Sequence, residues 1–410
     1  MAEAGKPAGS GVGKVGLAMA GGGPEGAIYE IGALRALDEV LEGLDFNQLH
    51  VYVGVSSGAF LAANLVNDLT TKQMCRAIVK REPGEHPFMA ETFLRPAVGE
   101  MAKRSAQVPR LVWEALLEYA QNPADIGLFD SMTRLTRALP VGVFNNEPIR
   151  KYLEAIYGIK GRTDDFRQLN QPLYVVAVDL DSGEVVRFGE DGFDDVPISR
   201  AVQASGALPG LYPPVEIKGR HYVDGVLRKT MHASVALDAG AGLVICLNPI
   251  VPVDTRRAVE DGIMRRGKLI HRGWPTVLSQ TFRTLIHSRL EAGFALYGDR
   301  YDGADVILLE PRRDDYRMFF TNVFRFSSRR YVAEHAYSAT RQELWERRED
   351  LEPVFAKHGI RLRVDLLEKK DASLLNGCGL GDDEKGPMTH VLSELDKTLD
   401  RLDTWMVNGG

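Results

Sequence analysis

Residues 50–66 read HVYVGVSSGAFLAANLV. His50 to Val55 is an apolar, β-rich run that predicts a buried strand. Ser56-Ser57-Gly58 interrupts it, and Ala59 to Val66 continues as an apolar helix. The preceding stretch repeats the pattern. Lys14 to Ala20 (KVGLAMA) is a strand-like run that ends in Gly21-Gly22-Gly23. Pro24 suits a first helical position. The helix it opens would turn Ile28, Ile31, Leu34, Leu37 and Leu41 inward, at spacings of three and four. Two strand–tight-turn–helix units in succession predict an α/β fold with a parallel sheet.

Outward from there, strand signals recur at Pro172 to Asp179 and Glu184 to Phe188, joined by Ser182-Gly183. Val215 to Ile217 and His221 to Val223 form a second hairpin signal around Lys218-Gly219. Gly242 to Leu247 and Asp305 to Glu310 read as later buried strands. Residues from about 70 to 165 look mostly helical and are expected to be an insertion. Residues 1–13 are Gly/Ala/Ser-rich, a flexible tail without the apolar core of a secretory signal. The main domain is expected over 14–326. A charged helical extension follows over 327–410, with a polar linker near 369–387. Leu392, Leu395, Leu399 and Leu402 lie at helical spacing, a docking helix or a homodimer contact.

Composition sets outer limits. The chain has 410 residues, 44% hydrophobic and 26% charged, enough apolar material for a sizeable core. Its net charge of −6 argues against a nucleic-acid partner. Cys75, Cys246 and Cys378 are isolated, with no CxxC pair, which argues against a disulfide scaffold or structural zinc. A reducing, cytoplasmic compartment is the expectation. No tract reaches the roughly 18 apolar residues that a spanning helix needs.

Three motifs carry chemistry. Gly54-Val55-Ser56-Ser57-Gly58 matches G-x-S-x-G between a strand and a helix. A serine nucleophile on such a turn needs small flanking residues, and the helix N-terminus favours negative charge beside it. Gly21-Gly22-Gly23-Pro24-Glu25-Gly26 also follows a strand and opens a helix. Its unobstructed N–H groups suit an anion or an oxyanion. The same residues satisfy a dinucleotide fingerprint, but that site expects an acid at the end of the second strand, where Ser56-Ser57-Gly58 stands. Asp224, in Tyr222-Val223-Asp224-Gly225, ends a short strand. It reads either as a carboxylate brought close to another loop or as a plain Asp-Gly turn. A Ser–Asp–His alternative would draw on His232, His271, His287 or His335, none in a recognisable signature. No histidines show metal spacing.

The ordered set resembles the patatin-like phospholipase family. The family pairs a glycine-rich oxyanion loop, a G-x-S-x-G serine and a D-G-G/A aspartate in this chain order. The resemblance extends to Ala201-Val202-Gln203-Ala204-Ser205-Gly206-Ala207-Leu208-Pro209 with Tyr212-Pro213-Pro214, to Ala177-Val178-Asp179-Leu180 with Ser182-Gly183-Glu184, and to Ala233 through Gly242. It covers about residues 14 to 310. It implies a three-layer α/β/α fold, and Ser56 as nucleophile with Asp224 as general base, no histidine taking part. Gly21, Gly22 and Gly23 would form the oxyanion hole, with Gly26, Gly54, Gly58 and Gly225 completing the motifs. The implied activity is acyl hydrolysis of phospholipid or lysophospholipid esters without metal or cofactor. Other carboxyl esters, or a weakly active lipid-binding module, are the alternatives. This chain departs from the pattern at Glu25, where the family carries a basic residue, and at Val226.

Two surfaces bear on partners. Residues 262–290 hold Arg265, Arg266, Lys268, Arg272, Arg283 and Arg289 and no acid, interspersed with apolar residues and Trp274. This reads as a core-packed helix with a basic face or as a peripheral membrane contact. Met318-Phe319-Phe320 with Val323, Phe324 and Phe326 is an aromatic cluster whose default reading is core.

Overall fold

The computed structural model describes residues 13–80, 95–97, 141–228, 231–262, 268–271, 273–295, 297–319, 326–369 and 371–378, with isolated positions over 106–113. Most of the expected 70–165 insertion, residues 320–325 of the aromatic cluster and the leucine stripe at 392–402 lie outside the described residues.

The strands are β1 (Val15–Met19), β2 (Leu41–Glu42), β3 (Val51–Val55), β4 (Leu173–Asp179), β5 (Val185–Phe188), β6 (Val215–Ile217), β7 (Arg220–Asp224), β8 (Leu243–Leu247), β9 (Asp305–Leu309) and β10 (Arg361–Leu362). The main sheet runs in the order β6-β7-β4-β3-β1-β8-β9, with β5 also on β4. The pairs β4–β3, β3–β1, β1–β8 and β8–β9 are parallel. The β4–β5, β4–β7 and β6–β7 pairs are antiparallel. The Lys218-Gly219 turn carries both residues at positive φ, 51° and 76°, as a tight hairpin requires.

Helices cover both faces: α1 (Gly23–Val40), α2 (Ser57–Val66), α3 (Thr71–Cys75), α4 (Glu147–Tyr157), α5 (Ile198–Ser205), α6 (Ala233–Asp238), α7 (Trp274–Ala295) and α8 (Phe326–Glu346). The period-2 alternation of the strands assigns the layers. Val15, Leu17 and Met19 share one core with residues of α1, α2, α5 and α8. Ala18, Val53, Val244 and Cys246 share the opposite core with α6 and the C-terminal half of α7. The result is a three-layer α/β/α fold with a mostly parallel sheet.

Helix α1 departs from the simple amphipathic expectation. It is buried nearly all round, because α8 covers the side away from the sheet. A Cβ at Gly32 would lie 2.5 Å from the Ala333 carbonyl and 2.8 Å from the Ala336 methyl, so glycine here permits the close approach. The helix also stops one residue early. Leu41, expected in its inward stripe, begins β2 and pairs with Leu362 of β10. Near the end of the described chain, Leu374–Gly377 is a short helix inside the expected linker. The cysteines are not all isolated in space: buried Cys75 and Cys378 are free thiols close enough to influence each other's ionisation.

Candidate active site

Ser56 caps the junction of β3 and α2 with φ 52° and ψ −118°, a strained conformation for a residue with a side chain. The surrounding glycines make this turn possible. A Cβ at Gly54 would lie 2.3 Å from the Ala59 Cα, and one at Gly58 would lie 2.5 Å from the Ala20 carbonyl. The Gly58 N–H donates to that same carbonyl at 3.1 Å, tying the serine turn to the end of β1.

The β-ladder brings Asp224 to the same level. Val55 of β3 lies opposite Val176 of β4, so Ser56 follows at the level of Ala177. On the other edge of β4, Ala177 lies opposite Asp224. Serine and aspartate therefore flank one strand. Past Asp224 the backbone crosses that strand: a Cβ at Gly225 would lie 2.4 Å from the Val176 carbonyl and 3.1 Å from Val55 Cγ1.

The Ser56 hydroxyl lies close enough to the Asp224 carboxyl to favour its ionised form. Asp224 accepts the Val226 N–H at 2.9 Å. Its side chain is buried, and that burial pushes its carboxyl up to about 7, against the lowering effect of the Val226 N–H hydrogen bond and the nearby Ser56 hydroxyl. A carboxylate of that basicity can exchange a proton near neutral pH.

One segment positions both residues, and its role was not evident from sequence beyond its place in a motif. Ser205, at the end of α5, accepts the Ser56 N–H at 2.8 Å and donates to the Val176 carbonyl at 2.6 Å. Two residues on, the Ala207 carbonyl accepts the Asp224 N–H at 3.0 Å. The residue pattern A-S-x-A marked the segment; only the fold reveals what its hydroxyl holds.

The triple-glycine loop lies over the serine. A Cβ at Gly21 would sit 3.1 Å from Ser56 Cβ, and one at Gly22 would strike Gly26 and Pro249, each at 2.7 Å. Gly23 has φ 59°. None of the Gly21, Gly22 or Gly23 N–H groups is taken by an acceptor among the described residues. Unobstructed N–H groups of this kind, with the N-terminus of α2, suit negative charge.

Two further acids lie near the glycine loop. Glu25 approaches Arg283 of α7, Oε2 to Nη2 3.5 Å. Burial pushes Glu25 up to about 7 and Arg283 draws it back down. The positive charge absent at position 25 thus arrives from another element, distant in sequence. Glu30, fully buried on α1 beside Ser57, is held well above the usual carboxylate range by desolvation, which the Ser57 hydroxyl partly offsets.

Two of the candidate histidines have partners elsewhere. His287 contacts Arg313 and Glu291, His335 contacts Asp315, and His271 is exposed. His232 is buried at the start of α6. None of them is among the groups that shift the Asp224 carboxyl. No cluster of three or more metal-ligating side chains occurs among the described residues.

The patatin-like phospholipase family model matches residues 17–237, over half of the chain. The chain belongs to the patatin-like phospholipase family. Among solved structures, it is similar to VipD from Legionella pneumophila at 16% identity and TM-score 0.35, covering 81% of this chain and 66% of that one. It is similar to the type III effector ExoU at 17% identity and TM-score 0.35, covering 82% of this chain and 53% of that one. A complex of SpcU with ExoU from Pseudomonas aeruginosa matches at 17% identity and TM-score 0.21, covering 47% and 38%. This patatin-like chain thus spans about half to two thirds of the length of the first two.

Proposed function

We propose that this chain is a serine acyl hydrolase cleaving lipid carboxyl esters, of the phospholipase A or lysophospholipase type, through a Ser56–Asp224 dyad. The observation that carries the reading is that the sheet register brings Ser56 and the buried Asp224 to the same level on either side of β4, with Gly21 against Ser56.

The chemistry follows from that arrangement. As Ser56 Oγ attacks the ester carbonyl carbon, its proton passes to Asp224. Negative charge builds on the former carbonyl oxygen, where the glycine N–H groups receive it, each donor contributing about 3 kcal/mol. Collapse breaks the ester C–O bond, and Asp224 returns the proton to the departing alcohol. Ser56 then carries the acyl group. Water attacks this ester as Asp224 takes its proton, and collapse releases the acid and restores the serine. The scheme uses no metal or organic cofactor.

Glu25 does not weaken the reading, because its charge is countered by Arg283 and reduced by burial. Hydrolysis of water-soluble p-nitrophenyl esters tests the proposal. The expected result is activity in the wild type and a loss of about a thousandfold or more in Ser56→Ala. An unchanged rate in Ser56→Ala contradicts it, and a wild type inert on every ester leaves only lipid binding.

A further inference from the structure

Helix α7 breaks the rule for a helix packed on a domain. Its inner side is accounted for: Ile286 and Phe294 pack on the second core with buried Leu290. Gln280 exchanges hydrogen bonds with the Val253 backbone, donating at 2.9 Å and accepting at 3.1 Å. The opposite side should then be polar. Instead Trp274 is 74% exposed and Leu285 57%, with Val277, Leu278 and Phe282 exposed between them. Ile270, in the preceding turn of helix, is 68% exposed. At 100° per residue these α7 side chains fall on one sector, facing away from Arg283, Ile286 and Leu290.

Charge narrows the occupant. Residues 262–290 carry six basic residues and no acid, in a chain whose net charge is −6. The remainder of the chain therefore carries −12, being −6 less the segment's +6. A two-fold contact between copies would set these like charges against one another. A surface that accepts exposed apolar side chains from a segment whose sequence is rich in positive charge and carries a tryptophan is an anionic lipid interface. The helix also borders the candidate site. From its inner side Arg283 reaches Glu25 beside the glycine loop, and Arg289 donates to the Leu227 carbonyl at 3.4 Å, three residues past Asp224.

We propose that the outward face of α7, with Ile270, docks this protein onto bilayers containing anionic lipid and presents the Ser56 site to ester bonds in that bilayer. The second half of the statement rests on the hydrolase reading above; the docking itself does not.

Cosedimentation of the full chain with phosphatidylcholine vesicles, with and without a quarter phosphatidylglycerol, tests it. Partition onto the anionic vesicles is expected to exceed that onto the neutral ones by about tenfold and to fall as salt rises. The variant W274S/L278S/F282S is expected to lose about tenfold or more in partition at unchanged melting temperature, since those side chains are exposed. Its turnover of a water-soluble p-nitrophenyl ester is expected to stay at the wild-type level while hydrolysis of vesicle lipid falls with binding. Brominated acyl chains are expected to quench tryptophan emission in the wild type and distinctly less in W274F, a readout that does not depend on the triple variant folding. Wild type that stays in the supernatant, or a triple variant that partitions like wild type, overturns the proposal. So does a wild-type dimer that the triple variant converts to monomer with vesicle binding intact, which would make the face a contact between copies. An inert Ser56 with intact docking would sink the hydrolase reading alone.

Discussion

Asp224 is a buried acid whose proton affinity suits a base, and this has two opposite consequences. For catalysis the ionised form is required, so kcat/KM on a soluble ester is expected to rise with pH through an apparent value of about 7. For stability the sign reverses. The folded chain keeps a proton that the unfolded chain releases near 3.8, so Asp224's contribution is complete below that value and lost as pH rises through about 7. Asp224→Asn is therefore expected to abolish turnover yet to stabilise the fold at pH about 8 by several kcal/mol more than at pH about 4. Urea unfolding at the two pH values checks this. Ser205 gives a different signature. Ser205→Ala leaves the Ser56 N–H without its buried acceptor, at an expected cost of about 1–3 kcal/mol in stability. It should lower kcat more than it raises KM, because the nucleophile loses position rather than substrate contact.

Among the elements, the α1–α8 contact makes the firmest demand. Ala at position 32 would meet backbone atoms and a methyl that cannot swing away, so Gly32→Ala must part the two helices. A loss of about 1–3 kcal/mol is expected by denaturant unfolding, without loss of the ester-hydrolysis pH profile. This is also where sequence reading ran out. The β1 and β3 strands were legible because each is a short apolar run closed by small residues, and β8 because its apolar run breaks at Asn248-Pro249. The early end of α1 was not, because the partner of Leu41 is Leu362, more than three hundred residues away. Likewise the mix of basic and apolar residues that marked 262–290 left its orientation open. Which side of α7 meets the core depends on loops around Val253 that no local pattern encodes.

Across the whole molecule, the legible and illegible parts of the site divide by distance along the chain. The glycine loop and serine turn are local strand–turn–helix signals and could be read directly. The meeting of Ser56 and Asp224 could not be derived from periodicity: it depends on the pairing of β4 with β3 on one edge and β7 on the other. The Glu25–Arg283 pair spans 258 positions and answers the departure at position 25 from outside any motif. A double-mutant cycle with Glu25→Gln and Arg283→Met is expected to give a coupling of about 1 kcal/mol in unfolding free energy; additivity would mean the two charges do not compensate. The central claim is that Ser56 is the acyl-accepting nucleophile activated by Asp224. Labelling the full chain with a fluorophosphonate and mapping the modified residue by mass spectrometry tests it most directly. The account predicts a single adduct on Ser56, absent from Ser56→Ala and formed far more slowly in Asp224→Asn. An adduct on any other serine, or undiminished labelling of Ser56→Ala, would contradict it.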